Sequence, residues 1–154
     1  MTDTGFDAAR AHAFFAADCF NNTWGLIDKP DRTPEEDERM LELAMASVWH
    51  WTKREDVTPN NMAVGYWQVS RVHALLGRAN EATRYGQLSL AKAEEGGDDP
   101  FTIGYAYEAL ARAASIAGRG EQRDEYLAQA HKAAEGVEDA ESKQWLFDDL
   151  KTIA

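Results

Sequence analysis

Three features of the sequence predict an all-helical chain, arranged as about three antiparallel helix–turn–helix pairs with a further capping helix at the C-terminal end. Proline and glycine fall where helices begin and stop, apolar residues recur at helical spacing, and the second half repeats itself after 41 residues. At 154 residues the chain reads as one domain, 1–154, and a chain of that size buries roughly 70% of its unfolded surface.

The start signals come first. Thr33-Pro34-Glu35-Glu36 sets Thr33 as an N-cap, with Pro34 at the first helical position and Glu36 three residues after the cap, a capping box. Glu35, Glu36, Asp37 and Glu38 also put negative charge where the helix dipole favours it. Thr58-Pro59 and Asp99-Pro100 repeat the cap-then-proline pattern. Gly77, Gly96-Gly97, Gly118 and Gly136 stand where helices stop, because glycine adopts the left-handed C′ conformation without steric cost.

Between these marks the apolar residues step by three and four. Phe6, Ala9, Ala13, Ala16, Phe20 and Trp24 form one stripe, and Leu41, Ala44, Val48 and Trp51 a second. Met62, Tyr66, Val69, His73 and Leu76 form a third, and Ile103, Tyr107, Leu110, Ala114 and Ala117 a fourth. Trp145, Leu146, Leu150 and Ile153 mark a short final helix. A period near 3.6 excludes strands and predicts helices over 6–24, 34–53, 59–76, 80–95, 100–117, 121–135 and 139–152. On these stripes Trp24, Trp51 and Trp145 belong to the core, and His73 reads as a hydrogen-bonded core histidine. Trp49 and Trp67 lie off the stripes, so each either packs on a neighbouring repeat or stands exposed in a binding groove.

A shift of 41 residues maps Tyr66 onto Tyr107, Arg71 onto Arg112, Gly77 onto Gly118, Arg78 onto Arg119 and Tyr85 onto Tyr126. It also maps Ala93, Glu94 and Asp98 onto Ala134, Glu135 and Asp139. Identities on both helix faces and at the turn point to internal duplication. Small residues Ser70, Ser89, Ala111 and Ala130 then fall where paired helices approach closely.

The duplicated segment resembles the tetratricopeptide repeat. Tyr66, Val69, Ser70, His73, Gly77 and Ala82 fit its frame, as do Tyr107, Leu110, Ala111 and Gly118. His73 and Ala114 replace the usual large aromatic, Arg123 stands in place of a small residue, and 41 residues exceed the usual period of about 34. The first helix pair matches weakly, because a loop from Gly25 to Thr33 replaces its tight turn. The chain is also similar to short bacterial tetratricopeptide-like proteins through Asn22-Thr23-Trp24, His50-Trp51, Ser70-Arg71-Val72 and the stretch from Tyr107 to Arg112. The resemblance implies a right-handed superhelical stack with a concave groove, and no activity.

Composition narrows the partners. The formal net charge is −11, and the acidity is spread over both halves, so nucleic acid and anionic membranes are poor partners. One cysteine, Cys19, excludes an intrachain disulfide and reads as a small buried hydrophobe. The N-terminus lacks a basic segment followed by an apolar run, and no apolar stretch reaches the roughly 18 residues of a membrane span. A cytoplasmic location is the default expectation.

No catalytic or cofactor motif appears. Gly118-Arg119-Gly120 is an inter-helix turn, no nucleophile elbow exists, and His12, His50, His73 and His131 show no metal-ligand spacing. His50 reads as a cation at a helix C-terminus. No cofactor or metal is expected, and enzyme activity is the lesser expectation beside a binding role. The face rotated about 100° from the Tyr66 stripe carries Val64, Trp67, Arg71 and Ala74, with equivalents Tyr105, Glu108, Arg112 and Ser115. In a tetratricopeptide frame this face lines the groove, so Trp67, Arg71, Tyr105, Glu108 and Arg112 are the ligand-groove candidates. Guanidinium groups beside flat aromatics suit a carboxylate- or phosphate-bearing protein or peptide. Glu108 also precedes Arg112 by four residues, the order of a helical ion pair, so an internal network is the competing reading. The expected function is a protein- or peptide-interaction module. The alternative is a small-molecule (anion) sensor or enzyme with Asn22, Arg71, Glu108 and Arg112 around a polar pocket between helices.

Overall fold

A computed structural model describes residues 5–154, and among them there are seven helices and no strand: α1 (Ala8–Ile27), α2 (Pro34–Thr52), α3 (Pro59–Leu75), α4 (Ala79–Glu95), α5 (Pro100–Ile116), α6 (Gly120–Glu135) and α7 (Ala140–Lys151). Within them α1 packs on α2, α3 on α4 and α5 on α6. No helix among the described residues is long and apolar enough to cross a membrane.

The chain divides into two compact units, one ending at Val57 and the other running from Thr58 to Ala154, where the sequence suggests a single domain. The boundary falls outside the 41-residue duplication, which involves only α3 to α6 and the turns that follow them.

The first unit is a helix pair. Asp7 caps α1 by accepting from the Arg10 amide at 2.9 Å, and Thr33 and Glu36 form the reciprocal capping box of α2. The expected loop from Gly25 is shorter than the sequence suggests, because α1 runs through Gly25 to Ile27. Arg32 explains the extension: its Nη1 donates to the carbonyls of Leu26 at 3.2 Å and Lys29 at 3.0 Å, and its Nε to Asp37 at 2.7 Å. A side chain thus satisfies helix-end carbonyls that a C′ glycine motif would otherwise cap. Ala16, Cys19 and Thr23 face Met40, Ala44, Ser47 and Val48 in the core, and the Ser47 hydroxyl donates to the Ala16 carbonyl at 2.7 Å. Small side chains and a cross-helix hydroxyl bring the two backbones together. The larger aromatics of the expected stripe lie at the margin of this contact, with Phe20 and Trp24 half-buried and Phe6 exposed.

The second unit contains the duplication. Gly77 and Gly118 have φ of 72° and 71°. Their amides bond the Ala74 and Ser115 carbonyls, and those of Arg78 and Arg119 bond the His73 and Ala114 carbonyls, the double bond of a Schellman stop formed twice, 41 residues apart. Tyr66 and Tyr85 lie 6.0 Å apart at 38°, and Tyr107 and Tyr126 repeat the pair at 6.2 Å and 34°. Ser70 donates to the Ala82 carbonyl and Ser89 to that of Ala63, and Ala111 and Ala130 occupy the equivalent buried places without hydroxyls. Replacing Ala111 by Leu should therefore overpack the α5–α6 contact and cost roughly 1–3 kcal/mol. Chemical denaturation checks this, and an unchanged midpoint would place Ala111 away from a helix contact.

Helix α5 is the centre of this unit, packed against α3, α4, α6 and α7. That explains its alanine-rich sequence, since a helix with neighbours on several sides cannot keep a polar face. Helix α7 docks through Leu146 and Leu150, which are buried against Ala130 and Ala134. Gly104 makes room for it: a Cβ there would lie 2.4 Å from Leu146 Cδ2. Trp145, assigned to the core by its stripe, is instead 55% exposed, because the buried stripe of α7 runs through Leu146 and Leu150 and leaves the preceding residue outside. Trp24 and Trp51 are half-buried.

Candidate functional site

The five groove candidates do come together, across α3 and α5 of the second unit, and their polar groups are turned on one another. Glu108 is wholly buried. Its Oε2 accepts from Trp67 Nε1 at 2.7 Å, and its Oε1 accepts from Arg71 Nη2 at 2.9 Å and from Arg112 Nε and Nη2 at 2.9 and 2.6 Å. Two arginines and a tryptophan thus share one carboxylate, which satisfies the burial cost of its charge. Trp67 is 7% exposed and lies edge-on to Tyr105, with ring centroids 5.1 Å apart, and the Arg71 guanidinium is 5.7 Å from the Trp67 ring.

Helix α7 completes the cluster with a residue that sequence spacing did not single out. Tyr105 donates its hydroxyl to Asp149 Oδ2 at 2.8 Å, Arg71 lies 3.8 Å from the other oxygen of Asp149, and Arg112 donates to the Thr152 hydroxyl at 2.7 Å. Burial, and then the bond to Asp149, push the Tyr105 phenol well above its ordinary range. The charges cancel: Glu108 and Asp149 answer Arg71 and Arg112. The groove expected from the sequence is thus lined on this face by a packed, internally paired network, with α7 across it. Asn22, the remaining residue of the pocket alternative, belongs to α1 and donates to Asp18 at 3.1 Å. A separate open recess of about 350 Å³ is lined by Asp98, Ile103, Tyr107, Gln129 and Lys132 among others, and by none of the five candidates.

The off-stripe tryptophans divide. Trp67 packs inside, and Trp49 is 52% exposed on the first unit. There a chain of rings runs from Phe14 to Phe15 (5.1 Å), Phe15 to His50 (5.5 Å), and His50 to Trp49 (4.9 Å), with His12 5.2 Å from Trp49. Phe14, Phe15 and Met45 are exposed as well. His50 does end α2, and its Nδ1 lies 2.8 Å from His12 Nδ1. Burial, and secondarily His12, lower its pKa, which opposes the expected helix-end cation. Residues 38 apart on two helices leave no spacing motif, so this pairing had no sequence signal. His73 is buried and stacked 5.6 Å from Tyr85, and its Nδ1 has no hydrogen-bond partner, which leaves one ring nitrogen of the expected bonded histidine unsatisfied. Desolvation, with Arg78 beside it, holds His73 below its usual pKa.

Comparison with protein-family models, with curated proteins and with solved structures finds no match to this chain.

Proposed function

We propose that the protein is a helical-repeat interaction module, and that its binding face is the aromatic surface of the α1–α2 pair, where it takes a basic amphipathic segment of a protein partner. One observation carries this reading: Phe14, Phe15, Met45 and Trp49 are all exposed on one two-helix unit, with Phe14, Phe15 and Trp49 joined by the ring contacts. Contiguous exposed aromatics of this kind are where interface hot spots form. The charge of the partner follows from the chain's net charge of −11, to which Glu42, one turn from Met45 on α2, and Asp18, one turn from Phe14 on α1, contribute beside the patch; Arg10 and Lys53, the latter 5.5 Å from the Trp49 ring, are the cations next to it. Apolar anchors spaced three and four apart, with Lys or Arg beside them, complement such a face.

The test is fluorescence anisotropy with a labelled amphipathic Leu/Lys peptide and an amphipathic Leu/Glu peptide of equal length. The basic peptide should bind saturably and the acidic one should not. Trp49→Ala should weaken binding by about 2 kcal/mol, roughly thirtyfold in Kd. Equal binding of both peptides, or unchanged affinity in Trp49→Ala, would remove the assignment.

A second reading, a small-anion site at the groove cluster, has one observation in its favour. Arg71 Nε is buried with no hydrogen-bond partner, which leaves one donor for an ordered water or an anion oxygen. Phosphate or a dicarboxylate should then raise the melting temperature, and Asp149→Ala should enlarge that rise by removing the internal competitor. No anion-dependent shift in either protein excludes this reading.

A further inference from the structure

In the first unit His12 and His50 bring two imidazole nitrogens, both potential metal ligands, to 2.8 Å from each other. We infer that His12 and His50 form a chelating site for a divalent first-row transition ion, Cu²⁺ and Ni²⁺ ahead of Zn²⁺. The geometry supports the order. With metal–nitrogen bonds of about 2.0–2.1 Å, two imidazoles held cis at a right angle have nitrogens about 2.9 Å apart, and a tetrahedral ion needs about 3.4 Å. The two Nδ1 atoms stand 2.8 Å apart, close to that separation, and with ring centroids 5.0 Å apart the imidazoles meet nearly end to end, so each ring turns about its Cβ–Cγ bond to aim its lone pair at a shared ion.

The setting favours the neutral, ligating form. Two imidazoles at hydrogen-bond distance cannot both be protonated there, since one must present a lone pair to the other. Metal therefore competes with one shared hydrogen bond. The ligands come from two helices whose contact is fixed by Ala16, Ala44 and Ser47, so the pair is held without the ion. Among the described residues no group of three or more His, Cys, Asp or Glu side chains is placed to share one ion. The described residues therefore supply two donors, and the remaining positions are open to water or another exchangeable ligand.

Trp49 makes the site readable, because its ring centroid lies 5.2 Å from that of His12 and 4.9 Å from that of His50. Tag-free full-length protein is titrated with Cu²⁺ in a non-coordinating buffer, following tryptophan emission and heat. Saturable binding of one ion per chain is expected, with quenching that Trp49→Phe reduces. His50→Ala and His12→Ala should each lose the saturable phase, and His131→Ala should keep it. Electron paramagnetic resonance of the wild-type copper complex should show two equivalent nitrogen ligands, a readout that needs no variant to fold. Absence of saturable binding, a signal without nitrogen coupling, or wild-type binding by either His12→Ala or His50→Ala would each overturn the assignment.

Discussion

Glu108→Ala should destabilise the protein by about 3–5 kcal/mol, among the largest effects of any single substitution. The carboxylate is the common acceptor for Trp67 Nε1, Arg71 and Arg112, and it is wholly buried. Its removal leaves two guanidinium groups in a poorly solvated place with only Asp149 to answer them. Glu108→Gln should fall between, since the amide oxygen keeps an acceptor and the charge is lost. Urea unfolding measures both. A change below about 1 kcal/mol for Glu108→Ala is the value expected of an exposed ion pair, and it would mean that water reaches this cluster.

Leu146→Ala should cost about 2–5 kcal/mol, and much of the loss should appear as release of α7. Leu146 is fully buried, its Cδ2 fills the space that Gly104 leaves on α5, and Ala130 and Ala134 form the rest of its contact. Leu146 is the one fully buried large side chain among the apolar anchors of α7, with Leu150 nearly so and Phe147 and Ile153 partly buried, so hydrogen exchange should accelerate across Ala140–Lys151 while α3 and α5 stay protected. Uniform acceleration over the whole second unit would show that α7 is cooperative with it and not a separately docked helix.

Much of the fold was legible because the signals that end and start helices act locally. Thr33, Thr58 and Asp99 cap as their sequences predict, and Gly77 and Gly118 stop their helices with matching conformations. The repeat register was legible too, since identical residues 41 apart make the same turn bonds and ring pairs. What escaped depended on tertiary choice. Gly25 carries no information about Arg32, whose guanidinium lets α1 continue past it. Periodicity placed Trp145 on the buried side of α7, but a stripe of four residues fixes its centre only to within one position, and Leu146 took it. The five residues of the shared face do meet in one cluster. Their partner Asp149 lies 37 residues beyond Arg112 on a helix outside the duplication, so nothing in the repeat announced that the cluster would be closed from within. The His12–His50 pair escaped for the same reason.

The central claim is that the Trp67 cluster is an internal network and that the accessible aromatic surface is the Trp49 face. Solvent exchange of the tryptophan indole protons, resolved by nuclear magnetic resonance with Trp→Phe variants for assignment, tests it most directly. Trp67 Nε1–H donates to buried Glu108 and should be protected, exchanging far more slowly than Trp49 Nε1–H, which belongs to a ring about half exposed. Trp67 exchanging as fast as Trp49 would contradict the account, because the cluster would then be an open, solvated groove.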